Sequence, residues 1–143
     1  MITGNFSATS FGYVEVLKGK SKMETLSERR CAPCHGGTPR LTEDEIAELL
    51  PQLRGWTVTD GVRLTKDYSF SNFADALAFV NRVGRVAEEE DHHPDISFGW
   101  GRARLDIETH AIGGLSINDF ILAAKVDALG EETEHNGVAA DQI

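Results

Sequence analysis

The chain has 143 residues, 41% hydrophobic, 8% aromatic and 26% charged, the make-up of one soluble globular domain and not of a collagen-like or wholly disordered chain. Its formal charge of −9 speaks against nucleic acid as a direct partner, because phosphate contacts need clustered Lys and Arg. No apolar run approaches the roughly 20 residues of a spanning helix and the start lacks a secretory pattern, so no membrane association and a cytoplasmic location are expected.

Residues 1–40 are punctuated by glycine with no sustained period and read as an N-terminal extension, within which Met23 offers a second, more ordinary start. Cys31-Ala32-Pro33-Cys34-His35 fits the C-x-x-C-H haem pattern and carries three potential zinc ligands. A haem attachment site requires export, however, and no second Cys or His pair stands at zinc spacing, so a flexible thiol pair ahead of the domain is expected. Thr42 and Glu45 then make a capping box, and Ile46, Leu49 and Leu50 recur at helical spacing, predicting a helix from Thr42 to Leu53 that Gly55 stops.

Trp56–Thr59 and Val62–Tyr68 alternate apolar and polar around Asp60-Gly61, which predicts a hairpin. Ser71 or Asn72 can cap a second helix with Phe73, Ala76, Leu77, Val80, Val83 and Ala87 on one face, ending in the run from Glu88 to Pro94. Pro94 pushes His93 out of helical geometry. Ile96, Phe98 and Trp100, then Ala103, Leu105, Ile107 and Thr109, predict a second hairpin about Gly101 that ends at His110. Ser116 and Asp119 read as another capping box, opening a third helix with Phe120, Ile121, Ala124, Val126 and Leu129, closed by Gly130. The order α-β-β-α-β-β-α predicts an α+β, two-layer domain over residues 41–130, a four-stranded antiparallel sheet with three helices on one face, followed by a polar tail, 131–143.

His92, His93 and His110 are three of the five histidines, and the strand pattern lets them converge at one sheet edge. Imidazoles are the side chains best suited to exchange protons near neutrality. Glu88, four residues before His92, and Asp91 and Asp95 are near enough in sequence to orient a ring. Asp119 is explained structurally as the capping acid at a helix's positive end; its functional alternative is to orient His110. Trp100 and Phe98 could stack on a flat heterocycle, although a hairpin aromatic is more often core or interface.

Glu88-x-x-x-His92-His93-Pro94, the aromatic Trp100, Thr109-His110 and Gly114-Leu115-Ser116-x-x-Asp119 together resemble the signature of the pterin-4a-carbinolamine dehydratases, and the likeness runs from Leu41 through Leu53-x-Gly55-Trp56 to Ala124-Lys125-Val126-Asp127. The resemblance implies dehydration of a 4a-hydroxytetrahydropterin substrate to quinonoid dihydropterin, in recycling of the cofactor of aromatic amino acid hydroxylases, with such a hydroxylase as a pathway partner. It implies His92, His93 and His110 as catalytic residues, Glu88 and Asp119 as supporting acids, and Trp100, Pro94 and Thr109 as substrate contacts. No metal and no cofactor is implied, because the pterin is itself the substrate. A homodimer or homotetramer is implied, with edge strands of two subunits joined, the Phe98 strand being the candidate edge. The alternative on the same fold is a noncatalytic role, as a transcription-factor dimerisation partner or a RuBisCO assembly factor.

Overall fold

The computed structural model describes residues 24–33 and 35–135, with side chains described as far as Gly130. The expectations for residues 1–22, for Cys34 and for the end of the polar tail lie outside the described residues.

The first helix, α1 (Glu43–Leu49), begins at a reciprocal cap: Glu45 N–H donates to Thr42 Oγ1 (3.2 Å) and Thr42 N–H donates to Glu45 Oε2 (2.8 Å). It is shorter than the apolar spacing suggests. Pro51 has no amide hydrogen to continue the ladder, and the chain tightens into a 3-10 turn at Leu50–Gln52. Strands β1 (Thr57–Thr59) and β2 (Arg63–Ser69) follow, joined where Asp60 and Gly61 adopt φ of 55° and 71°. Helix α2 (Phe73–Glu90) is capped by Asn72, whose Oδ1 accepts from Asp75 N–H at 2.8 Å. Strands β3 (Asp95–Gly99) and β4 (Arg102–Ile107) form the second hairpin, and α3 (Ile117–His135) completes the fold.

The sheet is antiparallel throughout, in the order β1-β2-β4-β3, so β1 and β3 are its edges. Leu64, Lys66 and Tyr68 lie opposite Ile107, Leu105 and Ala103, and Ile96 and Phe98 also lie opposite Leu105 and Ala103. These residues share the face that the helices cover. The alternate positions are polar and tie to one another instead: Thr65 Oγ1 donates to Asp106 Oδ1 at 2.6 Å, and Arg104 reaches Asp67 and Asp106. Strict alternation therefore produces one core face and one polar face, hence two layers. Leu64, Leu105, Ile107, Val83 and Phe120 are completely buried, each such side chain contributing about 1.5–3 kcal/mol.

Three further details depart from the sequence reading. On α2 the buried stripe is Ala76, Phe79, Val83 and Ala87, while Phe73 and Leu77 stay exposed. At about 100° per residue, Leu77 falls about 120° around the helix from Val83, outside the covered arc. Gly130 does not end α3, which runs on to His135; one glycine costs about 1 kcal/mol relative to alanine, too little to stop a well-packed helix. Finally, α3 is buried on more than one side, with Phe120 to Ala124 all out of solvent. The sheet and α2 cover one side, and the segment from Leu26, read as part of an extension, lies against another: Leu26 is in the core, and Lys125 Nζ donates to Ser27 O at 2.9 Å.

Candidate active site

The C-terminus of α2 determines where the paired histidines go. Asp91 takes a left-handed conformation (φ 51°), and the Asp91 and His92 amides donate back to the carbonyls of Glu88 and Ala87. This reversal directs the His92 ring inward, and Pro94 then holds the chain extended into β3. His92 is buried, and its Nε2 lies 2.6 Å from Asp119 Oδ1. Asp119 is completely buried on the first turn of α3, where the helix dipole favours its charge.

The other oxygen of Asp119 is equally engaged. Oδ2 accepts from Thr109 Oγ1 at 2.9 Å and from Ser116 N–H at 2.8 Å, and Thr109 Oγ1 in turn lies 2.8 Å from Ser116 Oγ. With two donors already on this carboxylate, the proton shared with His92 belongs on Nε2. Each buried polar group in this network has a partner, the condition under which such a network fixes geometry.

Around the buried pair stand two exposed histidines. His93 follows His92 and its Nε2 lies 2.5 Å from Glu88 Oε2, both side chains open to solvent. His110 follows Thr109, opens the 3-10 turn His110–Ile112, and is exposed, its Nδ1 3.8 Å from Glu108 Oε2. That turn is closed by the Thr109–Gly114 bridge and by Gly113 at φ 62°. Glu108 is also paired with Arg63 at 3.2 Å; the hydrogen bond and the charge of Glu108 together raise the Arg63 pKa. Because His92 and Thr109 both sit on the Asp119 carboxylate, one network ties together the two chain segments that carry His93 and His110.

Several pairings differ from those suggested by spacing. Glu88 engages His93 and not His92, because the left-handed Asp91 breaks the i, i+4 relationship. Asp119 engages His92 and not His110. His110 begins a 3-10 turn where the pattern implied a strand end. Thr109 is 2% exposed and its hydroxyl is committed to Asp119 and Ser116, so it supports the site from behind. Pro94 is half-buried at the start of β3, beside the histidines. Trp100 is 71% exposed in the β3–β4 turn, at the opposite end of that hairpin from Pro94. In the sequence Ser116 reads as a cap and as part of the family signature, without a role in the site; its contribution here is an amide and a hydroxyl bonded to the Asp119–Thr109 network. Among the described residues no group of three His, Cys, Asp or Glu side chains is placed to hold a metal ion.

The residues next in chain to the buried network include two solvent-facing imidazoles, each beside a carboxylate, a group type suited to proton exchange with a small molecule. Comparison with known proteins gives the same direction. The sequence profile of the pterin 4 alpha carbinolamine dehydratase family matches residues 39–129. A Rubrobacter xylanophilus protein, a proposed pterin-4-alpha-carbinolamine dehydratase by name, is 53% identical over 107 residues, 75% of this chain and 100% of its own. A protein of the same name from Nitrosomonas eutropha is 50% identical over 105 residues, 73% of this chain and 92% of its own. The crystal structure of a transcriptional coactivator/pterin dehydratase from Brucella melitensis is similar with a TM-score of 0.60 and 34% identity, covering 64% of this chain and 98% of that one.

Proposed function

The chain belongs to the pterin 4 alpha carbinolamine dehydratase family, and from that premise we propose that it eliminates water from a 4a-hydroxytetrahydropterin to give quinonoid dihydropterin. The reaction breaks the C4a–O bond and the N5–H bond and forms the C4a=N5 double bond. One group must deliver a proton to the departing hydroxyl and another must accept the N5 proton, so a histidine pair in opposite protonation states balances the step. We assign these tasks to His93 and His110, the two exposed imidazoles, with Glu88 beside the first and Glu108 beside the second. His92, held on Asp119, fixes the backbone on which both are carried. Each proton-transfer group of this kind contributes typically about 10²–10⁴-fold. A place in tetrahydropterin recycling, beside an aromatic amino acid hydroxylase in the cytoplasm, follows from this chemistry as part of the same proposal.

The observation that carries the reading is the His92–Asp119 pair at 2.6 Å with an exposed histidine next in chain to each of two Asp119 partners. A purely protein-binding role, the other activity joined in the description of the Brucella melitensis structure, requires none of this network. The test is turnover of 4a-hydroxytetrahydropterin by the parent chain, by His93→Ala and by His110→Ala. The expected result is acceleration by the parent and loss in both variants; no acceleration by the parent overturns the proposal.

A further inference from the structure

Glu90 is the last residue of α2, two before His92, and Asn118 is the second residue of α3, one before Asp119. Both are buried, and their side chains reach to two consecutive residues of the N-terminal segment. Cys31 N–H donates to Glu90 Oε1 at 2.8 Å. Ala32 N–H donates to Asn118 Oδ1 at 3.0 Å, and Asn118 Nδ2 donates back to Ala32 O at 2.7 Å. Lys125 secures the arrangement upstream, lying 3.6 Å from Glu90 Oε2 and donating to Ser27 O.

We propose that the Cys31–Ala32 backbone is a clamp that sets the separation of the α2 C-terminus and the α3 N-terminus, and so positions the His92–Asp119 pair, with Glu90 and Asn118 as positioning residues. The clamp's effect on catalysis rests on the dehydratase reading; its effect on the pair does not. The 2.6 Å hydrogen bond between His92, just past the end of α2, and Asp119, on the first turn of α3, has limited slack, since a shift of about 1 Å takes it out of bonding range. The two helices meet the sheet through apolar packing, which is non-directional and tolerates sliding along the axis. The paired amide bonds at Asn118 and the buried carboxylate at Glu90 are directional, and they bind the same short stretch of chain. Burial opposes ionisation of Glu90, but the Cys31 amide and the charges of Lys125 and Arg30 prevail and hold its pKa below the ordinary glutamate value.

The clamp uses main-chain groups, and Ala32 is exposed, so it is testable without touching the core. In the full chain, Ala32→Pro deletes the amide that meets Asn118, whereas Ala32→Gly keeps it. Asn118→Ala removes the anchor from the other side. The readouts are the proton NMR signal of His92 Nε2–H and steady-state dehydration of 4a-hydroxytetrahydropterin. Ala32→Pro and Asn118→Ala are expected to broaden or shift that signal and to lower kcat roughly tenfold with KM within about twofold, while Ala32→Gly matches the parent. Should Asn118→Ala fail to fold, Ala32→Pro decides. An unchanged His92 signal in Ala32→Pro overturns the clamp, whatever happens to kcat. A parent chain without turnover overturns the dehydratase reading instead, and the His92 signal then judges the clamp alone.

Discussion

The imidazole of His92 and the carboxylate of Asp119 meet at 2.6 Å out of solvent, although one stands two residues past the end of a helix and the other on the first turn of another, 27 residues apart. Asp119→Asn tests what the charge contributes. The amide presents two N–H donors and one carbonyl to three donors, namely His92 Nε2–H, Thr109 Oγ1 and Ser116 N–H. At least one of these is left facing a donor, so denaturant unfolding is expected to show a loss of about 1–3 kcal/mol. Turnover falls at the same time, because the ring orientation depends on the same bond.

His92→Ala and His93→Ala separate structure from chemistry. The sequence places both in one polar loop and gives no reason for them to differ, but only His93 is solvent-facing. His92→Ala leaves the Asp119 carboxylate buried without its ring partner and is expected to lower both stability, by about 1–3 kcal/mol, and turnover. His93→Ala is expected to leave stability within about 0.5 kcal/mol of the parent while lowering kcat about 10²-fold or more. Chemical denaturation and steady-state rates on the two variants check this; equal melting of both would contradict the burial difference.

Glu90 gives a pH dependence whose sign is fixed. Its folded pKa lies below the unfolded value, so its contribution is fully present above the ordinary glutamate pKa of about 4.3 and is lost as pH falls through the folded value. Protonation weakens the acceptor for the Cys31 amide and removes the attraction to Lys125 and Arg30. Hydrogen exchange at the Cys31 amide, corrected for the intrinsic rate, is therefore expected to lose protection on acidification before the β2 and β4 amides do. In Glu90→Gln, which keeps an oxygen acceptor but no charge, that acid dependence is expected to disappear.

How legible the molecule was in its sequence follows from the range of each interaction. The Thr42–Glu45 cap, the Asn72 cap and the Asp60-Gly61 turn are settled within four residues and are where the pattern puts them. Pairwise alternation likewise places Leu64, Leu105 and Ile107 on one face. What the pattern could not carry was decided at long range. Which acid meets which histidine turns on one left-handed residue, Asp91, and on how α2 and α3 pack. The stretch from Leu26 to Ala32 has no period of its own, and its order comes from partners at Glu90, Asn118 and Lys125 some 60 to 100 positions away, which no local rule detects.

Trp100 and the free edge of the sheet lead to the last prediction. Among the described residues β3 has a neighbour on one side only, β4, so its outer amides and carbonyls face away from the sheet. Phe98 on this strand packs against the exposed Phe73 with ring centroids 5.6 Å apart, and Trp100 stands open in the turn beyond. An apolar fringe beside unpaired backbone is what a second copy would cover. Two-fold pairing along β3 runs the strands antiparallel, which carries the Trp100 end of one copy beside the His93–Pro94 end of the other. Trp100 is remote from the histidines of its own chain, so this pairing is the route by which it can contact a flat substrate. Sedimentation velocity at micromolar concentration is expected to show at least a dimer. Adjacent residues of a strand point their amides to opposite sides, so of Ser97→Pro and Phe98→Pro one removes an outward donor and leaves the β4 ladder intact. That variant is expected to be a folded monomer with a raised KM, the other a destabilised protein. Trp100→Ala is expected to raise KM in a chain that still dimerises. A parent chain that sediments as a monomer, or a Trp100→Ala dimer with unchanged KM, removes Trp100 from the site and leaves the His92–Asp119 network as it stands.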